Sequence, residues 1–370
     1  MYLIPRLIGL FVYVITLGIF YLIICKIDKK DLGKVLFLYT IVLSIIAYNF
    51  VPAVGNDLYR LLIAMHSYTQ ESISQIITTL KTSSTPITVL YFYIIGKFSK
   101  DGLLAAVTAF IFYNNVFYIF KKTAIKYSIS SKNIALALLF FMSTGSYMEV
   151  ISGIRTMLGI SIVAVCFYKE EIEQKSIVLN IVWYIVAALI HPVALATVII
   201  RFLLLIYQSL KIKNMISFFI LFILCTGIFI LGKNYINLMS EKAINYVTTE
   251  NRHWYLWEFL IGCIDMFIIF IIQIKFLKNK NYTTHDSKMI RYFSFIKVIN
   301  IIILISSIIE YNTFHRFAIF SSILINPILM ILLNSKNENK KIYNIVFLSS
   351  IIMLFIACSR GNLCSLKFFE

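Results

Sequence analysis

Asp57, Arg60, Arg155, His191, His315 and Arg316 interrupt a chain that is otherwise almost continuous apolar sequence. Three arginines, two histidines and one acid suit a phosphate-bearing anion. Arginine keeps its charge, and its planar fork meets phosphate oxygens two at a time. Histidine titrates near neutrality, so an imidazole can take a proton from a hydroxyl while an arginine offsets charge developing on a departing oxyanion. Asp57 is suited to act as that base or to orient the histidine that does. A titratable group at the end of an apolar helix costs free energy unless it faces water, a partner or a ligand, which makes each of the six a candidate site residue.

The elements that must position these residues are membrane helices. With 60% hydrophobic, 15% aromatic and 14% charged residues, a water-soluble domain would carry an impossible apolar surface. Stretches 3–25, 35–51, 215–231, 259–274 and 317–333 approach the ~20 apolar residues that cross ~30 Å of hydrocarbon as helix, and they lack the alternation of a membrane β-barrel. The first stretch has no small-residue cleavage site after it and reads as a retained span. The six cysteines fall mostly inside apolar runs without metal or redox spacing, leaving only Cys358 and Cys364 as a conceivable pair. The net charge of +17 sits in short inter-span loops rather than in one aromatic-interleaved patch, so nucleic acid is not an expected partner.

Lysine-rich and lysine-poor connections alternate. Loops 26–34, 121–132, 169–175, 211–213, 275–291 and 336–341 are then cytoplasmic, because positive residues stay inside. The expected fold is an all-α polytopic membrane protein, a single domain over residues 1–370 with about twelve crossings and the N-terminus outside. All six candidates fall on the outer face. Residues 57–81 have helical apolar spacing and are expected as surface helices after the second span, while 87–98 is too short to cross and is expected as a half-helix. His191-Pro192 predicts a tight turn between two short helices. Trp254 and Trp257 fit an interfacial aromatic belt.

Each candidate also has a plainer role. Arg155 fits a snorkelling helix end or a partner for Glu149. His191 fits a cap for its own turn. His315 and Arg316 are adjacent, hence about 100° apart on a helix, and Arg316 is expected to point inward. Asp57 and Arg60 fit a surface pair worth ~0.5 kcal/mol or less. Deeper in the bilayer, Arg201 and Asp265 are expected to neutralise each other.

The segments Gly55-Asn56-Asp57-Leu58-Tyr59-Arg60, Ile154-Arg155-Thr156-Met157-Leu158, the helix-ending His191 and Phe314-His315-Arg316-Phe317-Ala318 together resemble the EpsG family, Wzy-like membrane proteins of exopolysaccharide and capsule assembly. His191-Pro192 departs from the family's more usual histidine followed by a small residue. The resemblance implies a metal-independent, GT-C-like glycosyltransferase of the cytoplasmic membrane, without a cofactor. Such an enzyme polymerises undecaprenyl-pyrophosphate-linked repeat units at the extracytoplasmic face, with a flippase and a chain-length regulator as further partners. It implies Arg155 and Arg316 gripping the donor pyrophosphate, His191 activating the acceptor hydroxyl, and Asp57, Tyr59, Arg60 and His315 as substrate contacts. No outer Asp-x-Asp pair is present to hold a divalent ion. Two other classes compete. A membrane O-acyltransferase of surface glycans would need an arginine and histidine more widely spaced than Arg60 and His66 and on the other side. A lipid-linked oligosaccharide flippase would show an internal repeat and midplane charges.

Overall fold

Backbone groups removed from water need partners, and in a chain this apolar the helix supplies them within each segment. The computed structural model describes residues 3–54, 56–144, 147–209, 256–278, 287–309, 311–335 and 339–359, which hold fifteen helices and no β-strand. In chain order they are α1 (Leu3–Lys26), α2 (Leu32–Tyr48), α3 (Asp57–Gln70), α4 (Ile73–Thr82), α5 (Pro86–Gly96), α6 (Gly102–Lys126), α7 (Ser131–Thr144), α8 (Tyr147–Ser152), α9 (Ile154–Glu171), α10 (Ile177–Ile190), α11 (Pro192–Ser209), α12 (Leu256–Lys278), α13 (Ser287–Ile309), α14 (Tyr311–Leu333) and α15 (Asn339–Ser359). The span at 215–231, the loop at 211–213, Trp254, the side chain of Trp257 and the Cys358–Cys364 pair lie outside the described residues.

Among the described residues, three helices are long and apolar enough to cross a membrane, over Gly9–Lys26, Gly102–Lys126 and Thr313–Leu333, beside seven shorter apolar helices. Large apolar side chains ring the bundle: Phe11 is 61% exposed, Leu179 68%, Val182 64%, Phe267 64% and Phe355 71%. Such a belt is incompatible with a water-facing surface and is solvated by hydrocarbon, which makes this a membrane protein.

Contacts between helix ends set the directions. The Ser131 hydroxyl at the start of α7 donates to the Ile27 carbonyl beyond α1 at 2.8 Å, and Asn133 Nδ2 donates to the Leu333 carbonyl at the end of α14 at 2.9 Å. Lys126 at the end of α6 donates to the Ile172 carbonyl beyond α9. One end of the bundle therefore collects Lys26, Lys126, Lys132 and Lys169 and is the lysine end. At the opposite end Gly102 opens α6 against the last residue of α2. A Cβ there would sit 2.1 Å from the Tyr48 carbonyl oxygen, a backbone atom that cannot yield, so only glycine permits the approach. Inside, Phe20 and Tyr39 stack at 4.1 Å and Tyr39 and Phe117 at 5.5 Å, joining α1, α2 and α6; such pairs add about 0.5–1.5 kcal/mol each beyond their buried area.

Helices α3 and α4 follow α2. The Asn56 side chain caps α3 by accepting from the Leu58 N–H at 2.8 Å, and Ser72 and Gln75 form a capping box at α4. Helix α5 has 11 residues, or about 16 Å of rise against ~30 Å of hydrocarbon. Near its start the Thr88 hydroxyl donates to the Ile190 carbonyl at 2.9 Å, and at its end Gly96 lies under Met65 and Thr69 of α3. Because α6 then begins beside Tyr48, α5 leaves and returns to the same end of the bundle.

Arg201, expected to pair with Asp265, is held by two other acids. Arg201, 2% exposed, donates from Nε to Glu170 Oε2 at 3.1 Å and from an amino group to Glu171 Oε1 at 2.6 Å. Glu171 also accepts from Arg291 Nε at 2.9 Å, and Glu170 from Asn180 at 3.1 Å. The side chain of Asp265 lies outside the described residues. Two adjacent carboxylates close α9, and the long Arg201 side chain of α11 reaches both.

Candidate functional site

The N-terminus of α9 is the point on which the candidate residues converge. Its first turn carries Arg155, half-buried, and Thr156, buried. Three other elements deliver groups to it.

The first is the corner between α10 and α11. Pro192 opens α11, where no amide hydrogen is needed, and its ring drives the preceding residue out of helical geometry; His191 accordingly sits extended at φ −154° and ψ 142°. This is the tight His-Pro turn predicted from sequence. The buried imidazole accepts the Val193 N–H at Nδ1, 3.2 Å away, and faces the Thr156 hydroxyl with Nε2 at 3.3 Å. An Nδ1 that accepts a backbone amide hydrogen carries no proton of its own, which leaves the proton of the neutral ring on Nε2. His191 therefore caps α11 and presents a donor. That geometry engages the Nδ1 lone pair in the cap of α11. Below it Gly159 lets α9 and α11 touch, since a Cβ there would lie 2.7 Å from that of Ala194.

The second element is α8. Its Glu149 carbonyl accepts the Gly153 N–H at 2.7 Å, and the carboxylate lies over Gly153, with Oε2 3.3 Å from where a Cβ would stand. A carboxylate over a helix N-terminus faces the positive end of the dipole.

The third is α14. Helix α14 begins at Tyr311, so His315 and Arg316 stand in its opening turns. His315 Nε2 lies 3.4 Å from Glu149 Oε1, both side chains being about one-third exposed or less (26% and 33%). Burial pushes the Glu149 carboxyl up, but the His315 hydrogen bond and the charges of His315 and Arg316 outweigh it and hold the group below its ordinary value. Glu149 entered the sequence reading only as a partner for Arg155. The available signal was its place six residues before Arg155 in a turn at the same end as His191.

Arg155, His191, His315 and Arg316 thus surround one helix terminus together with Glu149 and Thr156. Asp57, Tyr59 and Arg60 do not join them by any described contact. Asp57 and Arg60 pair with each other one turn apart on α3, 53% and 69% exposed, and Tyr59 is 36% exposed. Helix α3 packs on α5 and α8, which puts these three at the same end as the cluster. From Arg155 a groove of about 440 Å³ descends between α5, α6, α9 and α10 as far as Lys169.

No curated protein and no solved structure matches the chain. A family model described as the EpsG family matches residues 35–363, which takes in every residue of this cluster and nearly the whole sequence. The arginine and histidine segments that carried the resemblance all lie within the match, and the chain belongs to the EpsG family.

Proposed function

We propose that this chain is a membrane glycosyltransferase that polymerises lipid-linked oligosaccharide repeat units for an exopolysaccharide or capsule. The growing chain on an undecaprenyl-pyrophosphate carrier is the donor and the next lipid-linked unit the acceptor. The alternation of lysine-rich loops supports about twelve crossings of the cytoplasmic membrane with the His191 end outside, and the EpsG resemblance adds a GT-C-like arrangement. The observation that carries the reading is the convergence of Arg155, His191, Glu149, His315 and Arg316 on the start of α9.

In the reaction the acceptor hydroxyl oxygen attacks the anomeric carbon of the donor. The bond from that carbon to the pyrophosphate oxygen breaks, and the hydroxyl proton passes to a base. Arg155 and Arg316 hold the departing pyrophosphate and offset its charge, work for which their paired donors are suited. The Nε2–H of His191 donates to the Thr156 hydroxyl, whose own hydrogen turns to the same oxyanion. The base is His315: Glu149 holds the proton on Nε2, which places the basic lone pair on Nδ1 and stabilises the imidazolium that forms. Asp57, Tyr59 and Arg60 on α3 contact the sugars from above, and a flippase and a chain-length regulator act before and after the transfer.

Replacing Arg155 or Arg316 with Ala should leave the protein in the membrane while cells accumulate a single lipid-linked repeat and lose polymer on gels. Lysine should rescue poorly, because a point charge does not reproduce the fork. Normal polymer with both arginines replaced would overturn the reading. Intact polymer lacking acetyl groups in a deletion strain would point to the acyltransferase, and loss of lipid-linked repeat transport in vesicles to the flippase.

A further inference from the structure

The groove below Arg155 has features that a sugar site does not need. Its walls are branched aliphatic side chains, Ile87, Ile111, Leu158, Ile162, Val165 and Val186 among them, from α5, α6, α9 and α10. Trp183 both lines it and is 54% exposed on the outside of α10, so the groove opens sideways into the surrounding hydrocarbon. Its ends are charged. Arg155 stands at the site end, and Lys169, whose ammonium lies 5.2 Å from the Tyr118 ring centre, stands at the lysine end.

Its length decides what fits. Arg155 and Lys169 are fourteen residues apart on one helix, which at ~1.5 Å of rise per residue is about 21 Å. Half of a ~30 Å hydrocarbon layer is about 15 Å, so the groove continues past the midplane of the bilayer. We propose that the groove is the seat of one long isoprenoid chain, its diphosphate held at Arg155 and its tail running past Ile162 and Val165 toward Lys169. This rests on the polymerase reading for the identity of the diphosphate lipid. The placement of the tail on α9 and α10 belongs to the groove itself. A branched chain seated along α9 fixes the position of its diphosphate relative to Arg155 and His191 without any contact to the sugar, which suits an enzyme whose donor grows at each cycle.

The test is equilibrium binding of radiolabelled undecaprenyl pyrophosphate and of radiolabelled geranyl pyrophosphate to the purified full chain in nanodiscs. Geranyl pyrophosphate reaches only the mouth. Undecaprenyl pyrophosphate should bind at least about tenfold more tightly, a difference of ~1.4 kcal/mol. The substitution V165W, which fills the lower half, should remove that preference and leave geranyl pyrophosphate affinity unchanged. I111W fills the groove from the opposite wall and should do the same, which covers the case in which V165W does not fold. Equal affinity of the two lipids for the unaltered chain, persistence of the preference in both folded variants, or displacement by phosphatidylglycerol at equal concentration would each overturn the proposal. Binding is read without turnover, so a chain that seats the long lipid but makes no polymer would fail the polymerase reading and keep this one.

Discussion

His191 and His315 make opposite predictions for the same substitution. In His191→Asn the amide oxygen can still accept the Val193 N–H that Nδ1 now accepts at 3.2 Å, and its NH₂ can replace the Nε2 donor 3.3 Å from Thr156. Asparagine is among the best helix N-caps, whereas Ala would lose about 1 kcal/mol of capping. Ala would also lose about 1 kcal/mol for the bond to the buried Thr156 hydroxyl. The expected loss of stability is therefore ~2 kcal/mol for His191→Ala and near zero for His191→Asn. For the rate, His191→Asn keeps the donor to Thr156 and should stay within about tenfold of the parent. His315→Asn removes the group that takes the proton and should lower turnover by about 10²–10⁴-fold. The assay is the initial rate of polymer growth from purified lipid-linked repeats by the full chain in nanodiscs, with a thermal melt of each variant beside it. A fall of about 10²-fold or more in folded His191→Asn, with His315→Asn near the parent, would refute the assignment of the ring proton and return the base to His191.

Three further outcomes follow from the packing. Arg201→Met leaves the Glu170 and Glu171 carboxylates, each 5% exposed, without the cation that bridges them, and should cost about 3–5 kcal/mol in a denaturant titration, most of it recovered when both glutamates become Gln as well. Gly102→Ala forces a methyl within 2.1 Å of the Tyr48 carbonyl oxygen and should cost about 1–3 kcal/mol in a thermal melt, while Gly18→Ala, with nothing within 4 Å of the new methyl, should cost nothing. Because the folded-state pKa of Glu149 is lowered from 4.5, its charged form stabilises the fold above that value and the contribution is lost as pH falls through the folded pKa. The gap in melting temperature between the parent and Glu149→Gln should be full at neutral pH and close below pH 4.5; a gap that is unchanged under acid would rule out the His315–Glu149 contact as its source.

What was legible in the sequence, and what was not, divides by range. Helical membrane class followed from composition together with the lack of barrel alternation, and the lysine alternation placed Arg155, His191, His315 and Arg316 at one end without knowledge of any contact. The His191-Pro192 corner was legible because proline acts on its own neighbour. Pairing was not legible. The partners Glu170 and Glu171 fell within the expected loop 169–175, and the arginine stem lets the Arg201 charge sit well away from its own Cα. Glu149 was read only as a partner for Arg155, because its contact with His315 lies 166 positions later. The tautomer of His191 depends on an amide two residues on, which the sequence held in view, but only the observed extended φ and ψ turn the ring back toward it.

Helix α9 explains why a charge network so far from the cluster bears on it. Its first turn carries Arg155 and Thr156, its length forms one wall of the groove, and its last two residues are the carboxylates bound by Arg201 of α11 and Arg291 of α13. At the site end Gly159 meets Ala194 and Thr156 meets His191, so α9 and α11 are joined at both ends. A rod pinned at two points resists both sliding and rotation, and either motion would carry Arg155 away from the corner where His191 stands. A helix of 18 residues shifted by one residue moves ~1.5 Å and turns about 100°, enough to swing the guanidinium off a bound diphosphate. The ion network at the lysine end therefore sets the register of the arginine at the other, and Arg201→Met should weaken diphosphate lipid binding even under conditions in which the variant remains folded.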